Sequence, residues 1–367
     1  VSVLRARLAD GALLGVVVKS NAYGHGMIAC ARIFLDGGAD WLIVNTVDEA
    51  SALRAADIAA PIYICGPIMA EEADEVAQSG ARIVLYRGEV LEAVAARARA
   101  LGRPVPVHIK VETGSHRQGL PMADALALGR RVSETEGVTL EGITTHFADI
   151  EDTTDHRFAG GQLEAFAEVR RAFADAGLEP TMSHTANSAA TILWPETHGD
   201  LVRVGISAYG LWPSSETYAT ALQAHSQDAT GFVPELTPAL AWRARIAQVK
   251  DVPAGGFIGY GRTFRATHSS RIGVLPVGYH EGYDRRLSNL AHALVGGLRA
   301  PVRGRVCMNM TLIDLTHAPD AAAGDTVTLL GTDGSEAVTA EQWAGWMGTI
   351  NYEVPTGIHP SIPRRVV

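Results

Sequence analysis

Residues 13–26 read LLGVVVKSNAYGHG. Leu13–Val18 is an apolar run rich in valine, the pattern of a strand buried on both faces. Lys19 ends it, and a lysine at the C-terminal end of a buried strand needs a reason, because burying an ammonium is costly. One reason is chemical: burial depresses a lysine's pKa and frees the amine to form a Schiff base. The other is ordinary packing, in which the stem lies along the strand and the ammonium stays in solvent. Spacing alone leaves these two readings level.

Seven further runs follow at similar intervals: Trp41–Val44, Ile62–Cys65, Ile83–Tyr86, Val105–Val111, Leu140–Thr145, Thr181–His184 and Leu201–Ile206. Helical patterns separate them. Thr46 with Glu49 makes a capping box, Val90–Leu101 is an alanine-rich helical stretch, and glycines 37, 80, 102, 137 and 177 stand where helices should stop. Eight βα repeats in about 210 residues predict a (β/α)8 TIM barrel, whose active site sits at the C-terminal ends of the strands. A doubly wound open sheet fits the same strand count. Past about Ala224 the pattern turns to Pro, Gly and β-branched runs: Ala239–Val249, Arg271–Val277, Ala300–Val306, Thr311–Leu315 and Val327–Leu330, with one helical stretch, Thr339–Met347. The expected organisation is α/β, a barrel over 1–222 followed by a separate, mostly-β C-terminal domain over 223–367.

Composition narrows the function. The chain has 367 residues, 47% hydrophobic and 19% charged, with a net charge of −9. Such a length suits about two domains. The densest basic spots are the pairs Arg285-Arg286 and Arg364-Arg365, so no nucleic-acid partner is expected. Cys30, Cys65 and Cys307 are widely spaced and odd in number, which argues against a disulfide framework or a zinc site and for a reducing, cytoplasmic setting. No apolar run approaches the roughly 18 residues of a membrane span, and no signal peptide is visible. The chain opens at Val1, which raises the expectation that an amino-terminal segment of a longer chain precedes it. His146, His156 and His184 are scattered, so no metal is expected, and glycines 255, 256, 259 and 261 lack the βαβ context of a dinucleotide loop.

The string VVKSNAYGHG (17–26) closely resembles the pyridoxal-phosphate attachment motif of alanine racemases. The resemblance continues through KVETG (110–114) with Arg117, TTHFA (144–148), HTANS (184–188) and LVRVGIS (201–207). It resumes at GYG (259–261), VGY (277–279), GRVCM (304–308) and INYE (350–353). Each is weak alone; in this order, several on strand ends, they are specific. The resemblance implies a (β/α)8 barrel followed by a β domain, pyridoxal 5′-phosphate as cofactor and a small amino acid, most simply alanine, as substrate. It also implies a homodimer with shared active sites and a role in making D-alanine for bacterial cell walls.

Racemisation needs a proton taken from one face of Cα and returned to the other, which two opposed acid/base groups do most simply. By resemblance these are Lys19 and Tyr260. A free tyrosine has a pKa of about 10 and is a poor base at neutral pH, so a supporting network is needed. His146 and Arg203 match such a network. Arg203 also matches an arginine that faces the pyridine nitrogen. An arginine only donates, so that nitrogen stays unprotonated, the carbanion is short-lived and proton return is favoured over side reactions. Ser188, Gly205, Ile206, Tyr352 and Tyr23 match phosphate contacts, in the place where barrels often hold phosphate. Arg117 matches a residue beside the cofactor's phenolic oxygen and substrate. In some members the equivalent of Lys110 is carbamylated. Tyr279, Met308 and Tyr352 match the substrate's surroundings. Read singly, Ser188 is a helix cap, Gly205 a packing glycine and Tyr260 a turn tyrosine, and a buried arginine ordinarily pairs with a carboxylate.

Three departures stand out: Ser115-His116 replace the usual Met-Gly, Asn309 stands where aspartate is common, and Ser361 where arginine is common. The competing readings are a serine or broad-specificity racemase of the same fold, a fold-related pyridoxal-phosphate decarboxylase, and a non-catalytic pyridoxal-phosphate-binding protein. Tyr352 favours alanine over serine, Arg203 and GRVCM argue against the decarboxylase, and the long β domain argues against the carrier.

Overall fold

A computed structural model describes residues 1–227 and 231–367. One sheet holds β1 (Leu13–Val17), β2 (Trp41–Val44), β3 (Ile62–Ile64), β4 (Arg82–Leu85), β5 (Val105–Lys110), β6 (Val138–Thr144), β7 (Met182–His184) and β8 (Leu201–Val204). Each strand from β1 to β6 pairs in parallel with the next, and β8 returns to pair with β1, setting Gly15 opposite both Trp41 and Arg203. Backbone bonds from Asp200 N to Ser183 O (3.0 Å) and from Arg203 N to Ala186 O (2.9 Å) tie β8 to the β7 segment. First strand meets last, the order never reverses, and the open-sheet alternative falls.

A helix follows every strand: Met27–Asp36, Val47–Ala55, Ala73–Ser79, Gly88–Leu101, Met122–Glu134, Arg157–Asp175, Ser188–Leu193 and Ser215–Gln227. The capping box forms as expected: Thr46 Oγ1 accepts from Glu49 N (3.3 Å) and the Glu49 carboxylate accepts from Thr46 N (3.3 Å). Several strands end before their apolar runs do. Val18, Cys65, Tyr86, Val111 and Gly205 lie past the last strand residue, because the chain there leaves the ladder to form the loops at the barrel's C-terminal face. Branched aliphatics fill most of the interior, with Leu14, Val16, Leu42 and Val44 fully buried. The centre is different: Tyr63, His108, His184 and Arg203 are all buried there.

The chain divides into two compact units. One holds Val1–Ala22 and Met27–Leu236; the other holds Thr237–Val367 together with Tyr23–Gly26. Helix Ser215–Gln227 carries the first unit past residue 222. In the second unit Gln248–Val252, Ser270–Leu275 and Thr311–Asp314 form an antiparallel sheet. Leu298–Pro301, His292–Val295, Thr326–Asp333 and Glu336–Val338 form another, with Trp242–Arg245 on Thr326–Asp333. Helix Ala340–Met347 starts at a Thr339 capping box and buries Trp343 against Tyr283, ring centroids 4.8 Å apart. The run expected over Ala300–Val306 is strand only to Pro301. The hairpin His292–Val295/Leu298–Pro301 turns on Gly296 and Gly297, both at positive φ, a glycine-pair signal that the apolar-run reading passed over. Among the described residues no helix is long and apolar enough to cross a membrane.

Gly24 shows what the second unit demands of its short N-terminal contribution. Its φ is +83°, and a Cβ there would lie 1.8 Å from Pro355 O, while Arg364 Nε donates to its carbonyl at 2.8 Å. Gly11 has a similar φ of +82° with open space around it. Gly11→Ala should therefore lose only the left-handed penalty of roughly 1–2 kcal/mol, and Gly24→Ala clearly more. Calorimetric melting of the two variants checks this; equal shifts would mean the Pro355 contact yields freely.

Candidate active site

Lys19 follows β1 and opens a turn of uncommon hand. Ser20, Asn21, Ala22 and Tyr23 all have φ between 52° and 55°. The left-handed region costs an L-residue roughly 1–2 kcal/mol, so four in succession must be held from outside. The Glu49 carboxylate does much of this. It accepts from Ser20 N at 2.6 Å while also accepting from Asn45 N (2.7 Å) and Thr46 N. Asn21 Oδ1 accepts from Met27 N (3.0 Å), and Ala22 N donates back to Val18 O (2.9 Å). The sequence reading found Glu49 as a helix cap and missed its second task, because Ser20 lies 29 residues away in the chain.

The other strand ends supply polar groups. Lys110 ends β5, Thr145 and His146 follow β6, His184 ends β7 and Arg203 lies in β8. Arg203 is buried, yet among the described residues no carboxylate touches it. Nη1 donates to His184 Nδ1 (2.6 Å) and Thr144 Oγ1 (3.2 Å); Nη2 donates to Thr145 O (2.8 Å) and Thr185 O (3.0 Å) and approaches His146 Nδ1 at 3.4 Å. Its Nε makes no hydrogen bond among the described residues. The ordinary ion-pair reading of a buried arginine therefore fails here. Desolvation, then repulsion from Lys110, Arg203, Arg117 and Lys19, holds His146 well below the usual histidine range. Desolvation and then Arg203 hold His184 there too. Burial and then Arg203 likewise push Lys110 well below the usual lysine range.

Ser188, Gly205 and Ile206 come together as the sequence reading expected. Gly205 N donates to Ser188 Oγ at 2.9 Å, and Asn187 Oδ1 caps helix Ser188–Leu193 through Ala190 N (2.9 Å). Ser207, to which the sequence assigns no role, is buried and its Oγ has no hydrogen-bond partner among the described residues. An unpartnered buried hydroxyl is unusual, and beside Ser188 it suits a site that takes an anion. Arg117 is exposed on the loop after β5.

The remaining candidates belong to the second unit. Tyr23 and Tyr352 meet with ring centroids 6.0 Å apart. Tyr260 is 72% exposed at a tight turn in which Gly259 and Gly261 both have positive φ. Tyr279 N donates to Cys307 O (3.0 Å) and His280 N to Met308 O (2.9 Å), which keeps the exposed Tyr279 and Met308 on adjoining loops. Asn309 donates to Glu281 at 2.7 Å. An amide suits that contact, whereas an ionised aspartate would set two carboxylates together.

The donor set fits pyridoxal phosphate. It offers a strand-end lysine, a buried arginine with a spare N–H, and the Ser188 and Ser207 hydroxyls, with several cationic side chains gathered at the strand ends of an acidic protein. A barrel with this strand-end chemistry defines a pyridoxal-phosphate enzyme. The alanine racemase N-terminal domain matches residues 1–213 and the alanine racemase C-terminal domain residues 239–366. The alanine racemase of Leptospira interrogans is 40% identical, over 99% of this chain and 91% of its own. The solved alanine racemase of a D-cycloserine-producing Streptomyces lavendulae is 36% identical with a TM-score of 0.89, covering 99% of this chain and 92% of that one. The Bacillus anthracis alanine racemase solved with bound L-Ala-P is 31% identical with a TM-score of 0.89, covering 98% of this chain and 89% of that one. The chain belongs to the alanine racemase family and is a pyridoxal-phosphate-dependent isomerase.

The buried histidines give a pH signature. In the unfolded chain His146 and His184 take up protons near pH 6.5, whereas the native protein excludes them until well below that. Below about pH 6.5 the unfolded state binds more protons, so stability falls as pH falls, by up to about 1.4 kcal/mol per pH unit for each histidine. Urea unfolding between pH 7.5 and 5.5 should show this slope, to which His108 adds in the same direction, and His184→Asn should make it shallower. An unchanged slope in that variant would mean His184 is protonated in the native state.

Proposed function

We propose that this chain interconverts the L and D enantiomers of alanine through two acid/base groups, Lys19 and Tyr260, on opposite faces of the substrate's Cα. The observation that carries the reading is Arg203, a buried guanidinium with only neutral acceptors and an unused Nε–H. That N–H suits a neutral ring nitrogen, and a carboxylate in its place would protonate one. The names of the relatives, and the L-Ala-P bound to the Bacillus anthracis protein, favour alanine. Serine is the second reading, because a pocket rejects one added hydroxyl weakly.

When bound, pyridoxal phosphate acidifies the substrate's Cα–H by drawing its electrons into the ring. The residues would hold it as follows: Lys19 covalently, Arg203 at the ring nitrogen, and Arg117 beside the phenolic oxygen. Ser188, Gly205, Ile206, Tyr23 and Tyr352 would hold the phosphate. Lys19 Nζ takes or returns the proton on one face and Tyr260 Oη on the other. His146 stays neutral beside Arg203 and so accepts rather than repels. Tyr279, Met308 and Tyr352 would border the substrate, with Tyr352 keeping the space beside its methyl group small.

Incubation with single L-amino acids, followed by chiral chromatography, should yield D-alanine most rapidly and D-serine more slowly. Arg203→Glu should cut the rate at least a hundredfold and change the cofactor's absorbance spectrum. An unchanged rate and spectrum would remove Arg203 from the ring.

The proposal extends to a homodimer that completes each site with Tyr260 of the other subunit, working in a bacterial cytoplasm to supply D-alanine for the cell wall. Twofold symmetry gives such a dimer two equivalent sites. Lys19→Ala and Tyr260→Phe homodimers should each be nearly inactive. A tag-selected heterodimer of the two would carry one intact site and recover roughly half of wild-type turnover, as two independent sites require. Activity no higher than the parents, in a verified cofactor-loaded heterodimer, would reject the shared site.

A further inference from the structure

The charge of Arg203 does not end at His184. His184 Nε2 lies 2.8 Å from His108 Nδ1, His108 Nε2 lies 2.8 Å from a Glu141 carboxylate oxygen, and the same oxygen accepts from Arg82 Nε at 2.9 Å. Arg203, His184 and His108 are buried, and Glu141 and Arg82 are half-buried. Tyr63 packs on both imidazoles, at 4.9 Å from His108 and 5.4 Å from His184. Gly142, next to Glu141, makes the room: a Cβ there would lie 2.4 Å from His108 Nδ1.

The ends of this chain fix its direction. An arginine can only donate, and an ionised carboxylate can only accept. His184 Nδ1 must therefore be bare towards Arg203, which puts its proton on Nε2, facing His108. His108 Nδ1 must then be bare and its Nε2 protonated, facing Glu141. Each link fits only one tautomer. With a neutral amide at 141, the far end could donate as well as accept. The reversed arrangement would then become available, and it ends with a proton on His184 Nδ1 pointing at the Arg203 guanidinium.

We propose that Glu141 is a positioning residue for the reaction: through His108 and His184 its carboxylate keeps His184 Nδ1 an acceptor and so holds Arg203 in place. The proposal rests on the reading of Arg203 at the ring nitrogen, but its direction can be tested apart from that reading. Arg82 anchors the carboxylate and does not set the direction.

The test is nitrogen NMR of the holoenzyme carrying ¹⁵N-labelled histidine, with steady-state kinetics in parallel, on wild type, Glu141→Gln, Glu141→Asp and Arg82→Gln. In wild type both His108 and His184 should show a bare Nδ1 and a protonated Nε2. Glu141→Gln should give mixed tautomers at both and lower kcat about tenfold with a smaller change in KM. Glu141→Asp should restore the tautomers and most of the turnover, and Arg82→Gln should leave the tautomers as in wild type. A protonated His184 Nδ1 in wild type, or tautomers unmoved by Glu141→Gln, would overturn the proposed direction. Tautomers that shift while kcat holds would uphold the directional chain but overturn Glu141 as a positioning residue, leaving the place of Arg203 at the ring to the Arg203→Glu test.

Discussion

The interaction on which the site depends is a buried guanidinium that touches no carboxylate among the described residues. Arg203 meets two carbonyls, one hydroxyl and the imidazole nitrogens of His184 and His146, all neutral acceptors. Desolvating a cation without a counter-ion is expensive unless its donors are satisfied. A neutral environment around a permanent charge then governs every other titratable group. Lys110 is driven towards a neutral amine and His146 and His184 towards neutral imidazoles. The cost is imposed on rigid elements, since Arg203 lies within β8 and its acceptors lie on and just after β6 and β7. A loop would relax to let the charge out to water.

The same charge gives a local positive field to a chain whose net charge is −9. An acidic protein attracts no anion through its overall field. It binds one through converging donors, here an arginine N–H, two serine hydroxyls and the backbone at Gly205. The buried Ser207 Oγ without a partner belongs to this logic: a hydroxyl is left unsatisfied where a ligand oxygen is to satisfy it.

Much of this was legible in the sequence. The eight runs from Leu13 to Ile206 became eight strands, since a strand buried on both faces needs a continuous apolar run and little else in a chain this long looks the same. Closure of the sheet was not legible, because it depends on β1 finding β8, with Leu13 opposite Leu201 far along the chain, and spacing carries no record of that partner. The C-terminal hairpins were missed for a different reason. Phe257–Ile258 and Phe264–Arg265 are two-residue strands, too short for any period to show. Motifs placed Lys19, Arg203 and Ser188. Nothing in them pointed to Glu49, Glu141 or His108, whose tasks exist only through contacts tens of residues away.

The turn after Lys19 shows why such contacts matter more than their number suggests. A lysine on a straight strand end would be free to swing on four methylenes. Here the next four residues run in the left-handed region, which an isolated chain would leave at once. Glu49 opposes this through Ser20 N, and the same carboxylate closes the N-terminus of helix Val47–Ala55. The helix is packed, with Val47, Ala50 and Leu53 buried, so its first turn cannot drift and neither can the carboxylate. The strained turn is thereby referenced to the barrel's own packing, and the backbone that carries the lysine is fixed with it. A lysine or arginine could not serve as the clamp, because Ser20, Asn45 and Thr46 all present N–H donors and a cationic side chain only donates, whereas one carboxylate accepts from all three and so ties the strained turn to the helix start.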